Sequence, residues 1–241
     1  MKLQRKGTRH SHRGVIGVES AIVMIAFVIV AAALAFVVLN MGFATSQKAK
    51  TTIISGLTES SSSLQISGKV TGIGCTSESS DPACASTSYL NATAFPIKVT
   101  SGGNAVSLEE GTTAIKYLSN NVEYDDIYAG PISGAEYKSL SLAFDQADTE
   151  PGAEFDAFND IHPITGATVS STKAIIYWTQ QFNTNDVLEQ GEHAVLAIAY
   201  DSTDRPGALD TIKVELIVAT GAALTVERQV PNVASIVVDM G

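Results

Sequence analysis

One stretch of this chain constrains everything else: Ala21 to Leu39 is a run of 19 residues without a charged or strongly polar side chain. As a helix at about 1.5 Å per residue it covers roughly 28 Å, enough for the hydrocarbon core of a bilayer. Ahead of it, Lys2, Arg5, Lys6, Arg9 and Arg13 make a basic leader with no acid. Basic residues stay on the cytoplasmic side, so the leader faces the cytoplasm and the C-terminal body faces outward. A secretory signal is cut behind small residues after its apolar core. Here Asn40, Met41, Gly42 and Phe43 follow Leu39, with no such pattern. The cut-like feature lies instead in front of the run, at Arg13-Gly14. Cleavage there leaves the hydrophobic helix on the mature chain and creates a new amine at Val15. A chain built this way can rest in a membrane as a precursor and later bury the same helix among copies of itself. The alternative is a permanent anchor. Ala31, Ala32, Ala33 and Ala35 suit close helix packing as well as lipid.

The leader, the Arg13-Gly14 junction, Gly17 at the third mature position and the long Ile/Val/Ala helix together resemble archaellins, the archaeal flagellins of the type IV pilin-like superfamily. The resemblance continues in Leu64-Gln65-Ile66-Ser67-Gly68-Lys69-Val70-Thr71-Gly72, in the segment from Asn183 to Glu192, and from Gly221 to Asp239. Over roughly 75–180 it is poor, and that part is read from its residues alone. The resemblance implies cleavage between Gly14 and Val15 by a membrane-embedded aspartic peptidase of the prepilin type. It implies that Glu19 pairs with the Val15 amine of a neighbouring subunit, removing two buried charges together. Glu19 has other readings: an interfacial carboxylate in water, or one bonded to the first N–H groups of its own helix. The resemblance also implies an outer domain with an immunoglobulin-like fold. The expected partners are other copies of the chain, alone or with other archaellins, together with an assembly ATPase and a membrane platform.

The chain carries 15 basic and 25 acidic residues, so the body left after the basic leader is strongly acidic. Such a body repels nucleic acid, and the leader reads as a topology signal. Beyond Leu39, Phe43, Ile53, Ile54 and Leu57 recur at loosely helical spacing, and Ser60 to Ser63 mark the helix end. The reading divides the chain into a cleaved leader (1–14), a core-forming helix (15–63) and an outer domain (64–241). Within the last, short alternating or β-branched segments predict strands over Lys69–Gly72, Phe95–Thr100, Ala114–Leu118, Ser139–Phe144, Ala174–Thr179, Ala194–Tyr200, Thr211–Ala219, Ala223–Val230 and Ser235–Val238. The fold class expected is α+β: a long hydrophobic helix followed by an antiparallel immunoglobulin-like β-sandwich.

Cys75 and Cys84 enclose a polar turn, which in an exported domain points to a disulfide, with free thiols as the alternative. Asn91-Ala92-Thr93 is a sequon, making Asn91 a candidate N-glycan acceptor. No nucleophile elbow, P-loop or dinucleotide fingerprint occurs, so neither an enzyme nor a cofactor is expected. Of the histidines, His10 and His12 lie in the leader, His162 falls in a loop and His193 precedes a strand. Glu154, Asp156 and Asp160, with Asp125 and Asp126, lack a calcium-loop spacing and read as a solvated surface.

These readings converge on a structural subunit that polymerises through its helix into a swimming filament at the cell surface, made as a precursor in the cytoplasmic membrane. An adhesive pilin is the nearest alternative. A membrane-anchored binding domain follows, and an anchored hydrolase is more distant.

Overall fold

Helix α1 runs without a break from Arg13 to Ser61, 49 residues and about 73 Å. Proline is absent throughout, and Ala, Leu and Met offset the weaker helix propensity of Val and Ile. The structure is a computed structural model. It describes residues 13–61, 64–75, 89–148, 157–159, 161–165 and 169–241, with α1 side chains described over 17–57. The chain divides between Ser55 and Gly56 into two units.

The outer unit is a β-sandwich. Its strands are β1 (Leu64–Ile66), β2 (Thr71–Gly74), β3 (Leu90–Val99), β4 (Val106–Ser107), β5 (Thr113–Leu118), β6 (Glu123–Tyr124) and β7 (Tyr128–Glu136). After helix α2 (Leu140–Asp148) come β8 (Lys173–Gln180), β9 (Val187–Leu188), β10 (His193–Ala199), β11 (Thr211–Val218), β12 (Leu224–Gln229) and β13 (Val237–Asp239). The large sheet has the order β13-β2-β3-β10-β8-β7, with β1 also on β3. The small sheet is β12-β11-β5-β6, and β4 pairs with β9.

Side-chain alternation assigns the two faces of the large sheet. Phe95, Ile97, Ala174, Ile176, Trp178, Leu196 and Ile198 meet Ile115, Tyr117, Ile212, Val214 and Leu216 of the small sheet in the main core. The intervening Ala92, Ala94, Ile175, Tyr177, Val195 and Ala197 pack in a second core with Ala143, Phe144 and Ala147 of α2. Central strands buried on both faces explain the nearly unbroken apolar run of β10.

Two expectations are corrected. Residues Ser139–Phe144 are not a strand. Leu140, Ala143, Phe144 and Ala147 recur at helical spacing, and the Ser139 hydroxyl caps the turn by accepting Leu142 N–H at 3.3 Å. Nor are all pairs antiparallel, since β7 runs parallel to β8. Gly130, Pro131 and Gly134 interrupt the pattern of β7, and as an edge strand it tolerates a proline that cannot donate. The other expected strands occur with shifted ends; β3, for example, begins at Leu90 rather than Phe95.

The C-terminal strand closes one sheet edge. Met240 N–H donates to Val70 O at 2.9 Å, and Lys69 pairs with Asp239. That hydrogen bond to Lys69 holds the Asp239 carboxyl below the usual carboxylate range. Gly74 is required beside this edge: a Cβ there would lie 2.8 Å from the Ser235 carbonyl oxygen.

Candidate functional site

Helix α1 carries the sequence-predicted residues of processing and assembly. Arg13, Gly14, Val15, Gly17 and Glu19 fall within its first two turns. The side chains of Arg13 and Val15 lie outside the described ones, as do residues 1–12. Glu19 is exposed, at the foot of the apolar stretch.

From Ala21 to Leu39 the helix is apolar on every side, and its large side chains are exposed, Ile22, Phe27, Leu34 and Phe36 among them, as is Phe43 beyond. It has the length and hydropathy to cross a membrane. A helix hydrophobic all round is one that is buried in its working state, in lipid or among other helices. Among the described residues, Gly17, Gly42 and Gly56 would meet nothing within 4 Å if given a Cβ. Small residues are what admits another helix backbone. Past Leu39 the polar content rises, yet Thr45, Thr51 and Thr52 donate their hydroxyls to carbonyls four residues back, at 2.8, 2.9 and 2.9 Å. These hydroxyls are satisfied within the helix, whereas Lys48 and Lys50 keep part of this half charged.

In the outer unit, Cys75 is disulfide-bonded, while Cys84, its expected partner, lies outside the described residues. Arg205 Nη1 sits 3.6 Å from the Cys75 sulfur. The fold places Asn91 of the sequon in β3. Asn91 is 3% exposed there, and the Thr93 hydroxyl is engaged with the Tyr200 hydroxyl at 2.7 Å.

Among the described residues no group of His, Cys, Asp and Glu is placed to hold a metal ion. Glu154, Asp156 and Asp160 lie outside them. Asp125 instead pairs with Lys116 at 2.9 Å. Asp126 accepts Ile115 and Tyr128 N–H at 3.1 and 3.0 Å. His162 is buried, with Nδ1 accepting Ile164 and Thr165 N–H, each at 3.1 Å. His193 opens β10 beside the Ser67 hydroxyl, at 2.9 Å.

Two buried carboxylates, unassigned by the sequence reading, organise the ends of the sandwich. Asp204 accepts the Thr172 hydroxyl at 2.7 Å and the Tyr124 hydroxyl at 2.8 Å. Glu192, fully buried, accepts Phe182 N–H at 2.8 Å and Glu189 N–H at 2.9 Å. Both hold loops by satisfying donors, the usual condition for burying a carboxylate. Glu192 falls in the archaellin-like segment, which was its one sequence signal; Asp204 had none beyond a turn-rich setting.

Comparison with known proteins agrees with this architecture. The family model described as Archaeal-type flagellin matches residues 14–228. A protein named Probable flagellin 1 from Aeropyrum pernix is 34% identical over 219 residues, covering 91% of this chain and 92% of that one. Probable flagellin 2 of Archaeoglobus fulgidus is 36% identical over 115 residues, 48% of this chain and 55% of its own. The fold resembles the archaeal flagellum of Methanospirillum hungatei strain JF1, with a TM-score of 0.53 at 22% identity over 89% of this chain and 93% of that one. It also resembles flagellin FlaB1 of Methanocaldococcus jannaschii, with a TM-score of 0.50 at 14% identity over 74% of this chain and 96% of that one.

Proposed function

This chain belongs to the archaeal-type flagellin family, and we propose that it acts as the structural subunit of a motility filament that polymerises through α1. The observation that carries this reading is the helix itself: 49 residues long, with an uncharged apolar run from Ala21 to Leu39 whose large side chains are exposed among the described residues. At about 25 cal/mol per Å², burying on the order of 1,000 Å² of that surface gives a gross driving force of ~25 kcal/mol. Only part of it remains after the entropy of association.

Before assembly the helix lies in the cytoplasmic membrane with the basic leader inside. A prepilin-type aspartic peptidase cuts between Gly14 and Val15, and Gly17 stays near the new terminus. Glu19 then pairs with the Val15 amine of a neighbouring copy. A lone carboxylate in an apolar bundle is costly, and pairing removes two uncompensated charges at once. An assembly ATPase and a membrane platform supply the energy and the anchor; the chain itself does no chemistry. The outer domain faces the cell exterior, and a Cys75–Cys84 bond pins the loop after β2. Supporting that bond, Cys75 is disulfide-bonded and the chain has one other cysteine.

Electron microscopy and a swimming assay on cells lacking the protein test the filament role. Loss of both filaments and swimming is expected. Swimming retained with loss of surface attachment would identify an adhesive pilin instead. Mass spectrometry of the mature subunit should give an N-terminus at Val15; one at Met1 or behind Leu39 would overturn the processing scheme.

A further inference from the structure

The buried imidazole of His162, 9% exposed, has two nitrogens that face opposite kinds of partner. Nδ1 accepts the N–H of Ile164 and of Thr165, each at 3.1 Å. Two donors on one nitrogen require a lone pair there, so the ring proton sits on Nε2. Nε2 in turn faces acceptors on α2: Ser141 O at 3.2 Å and Asp145 Oδ1 at 3.4 Å, with the Ser141 hydroxyl at 3.3 Å. The ring packs edge-to-face with Phe144, centroids 6.2 Å apart and planes at 84°.

The local sequence builds this arrangement. Pro163 has no N–H to offer, and its fixed φ starts a turn over 163–165 that carries the next two amides back to the His162 ring. Ile164 of this turn, with Ile161 ahead of it, packs on the second core that holds Phe144 and Ala147 of α2. One side chain therefore grips the turn by one nitrogen and α2 by the other.

Imidazole is the side chain that gains a proton in mildly acidic water. Here the proton has to enter at Nδ1, where two N–H donors already point. A protonated nitrogen cannot accept, so the added proton and these two bonds exclude each other. On the other nitrogen the change is favourable, because a charged ring binds a carboxylate more strongly than a neutral one does. Among the described residues Asp145 is the charged group within ion-pair distance of His162, and its side chain is 59% exposed, so water screens part of this gain. Asp160 lies outside the described residues. The two effects oppose each other in overall stability, but they act on different elements: the turn loses its anchor and α2 keeps the ring.

We propose that His162 is an acid-operated latch: on protonation it stays with Asp145 on α2 and releases the amides of Ile164 and Thr165, freeing the turn that covers one side of the second core. The outer domain faces the cell exterior on the reading above, so the latch meets the pH of the surroundings.

The test is hydrogen exchange on the detergent-dispersed full-length subunit, read as protection factors so that the intrinsic pH dependence of exchange is removed. Between about pH 8 and about pH 5, protection at Ile164 and Thr165 should fall by about tenfold or more, while Val195 and Leu196 in the centre of the large sheet keep theirs. His162→Asn puts a carbonyl oxygen, which takes up no proton in this range, in the place of Nδ1. That variant should hold both amides at pH 5. Histidine nitrogen chemical shifts give a reading that needs no variant: at pH 8 the His162 proton should be on Nε2. Unchanged protection at pH 5, an equal fall in His162→Asn, or a ring proton on Nδ1 at pH 8 overturns the proposal. None of these measurements involves a filament, so the filament reading stands or falls separately.

Discussion

The Tyr124 hydroxyl, on the edge strand of the small sheet, donates to the buried carboxylate of Asp204 at 2.8 Å, in the loop that leaves the large sheet. The same oxygen of Asp204 takes the Thr172 hydroxyl from the foot of β8 at 2.7 Å. One side chain therefore ties both sheets together at one end of the sandwich. Asp204→Ala strands the buried Thr172 hydroxyl, releases the half-buried Tyr124 hydroxyl and should destabilise the outer domain by about 2–4 kcal/mol. Tyr124→Phe removes one bond and should cost about 1 kcal/mol. Urea unfolding of the detergent-dispersed subunit, followed by the fluorescence of Trp178, measures both; equal losses from the two variants would mean that Asp204 is not the shared anchor.

At the opposite end, Glu192 should hold the loop from Gln181 to Glu189 in place. Glu192→Gln keeps one acceptor but turns an N–H₂ toward a backbone donor. We expect a loss of about 1–3 kcal/mol and faster hydrogen exchange at the amides of Phe182 and Glu189. Unchanged exchange at both amides would show that the loop is held by other contacts.

Alkaline pH should unfold the outer domain. Burial pushes the phenols of Tyr117 and Tyr177 up to about 12 each, and raises Tyr128 and Tyr200 in the same direction. The folded chain keeps these protons longer than the unfolded one, whose tyrosines ionise near pH 10. This stability is fully present below pH 10 and is lost as pH rises through 12, by about 2–3 kcal/mol each for Tyr117 and Tyr177. Melting temperatures should be level from pH 8 to 9.5 and fall steeply from 10 to 12. Tyr177→Phe should reduce the fall; a slope unaltered by that change would place the alkaline sensitivity elsewhere.

Polymerisation should depend on α1 and tolerate charge changes on the outer surface. Ala32→Asp puts an unpaired carboxylate in the middle of the apolar run, at a cost of several kcal/mol once buried. It should abolish filaments even where subunits are made and cut. Glu110→Lys, on an exposed loop of the outer unit, should leave them in place. Filaments that survive the first change and are lost with the second would put the polymer core in the wrong half of the chain.

The sequence by itself determined that a long helix stands at the N-terminus. Ala21 to Leu39 has one periodicity-independent property, unbroken apolarity, and it lies within the observed helix Arg13–Ser61. Strands such as Thr113–Leu118 and Thr211–Val218 were equally legible, because one face is buried and one is wet, and alternation records that directly. Local pattern failed where two periodicities fit the same letters. Leu140, Leu142 and Phe144 alternate, but Leu140, Ala143, Phe144 and Ala147 also share a helix face, and only the second core beneath them chose between the two. It failed again at β7, whose glycines and proline conceal a strand that exists because β8 offers it an edge. The sequon shows the same limit: its three letters say nothing about burial, and the placement of β3 at the centre of the large sheet removed Asn91 from solvent. What only the tertiary structure decided are the nonlocal relationships: Asp204 between two sheets, Glu192 under its loop, and His162 between α2 and its own turn. The physical reason is that hydrophobic periodicity is a local record of which faces are buried, whereas a hydrogen bond between residues 80 apart, such as Tyr124 to Asp204, depends on chain closure that no window of sequence contains.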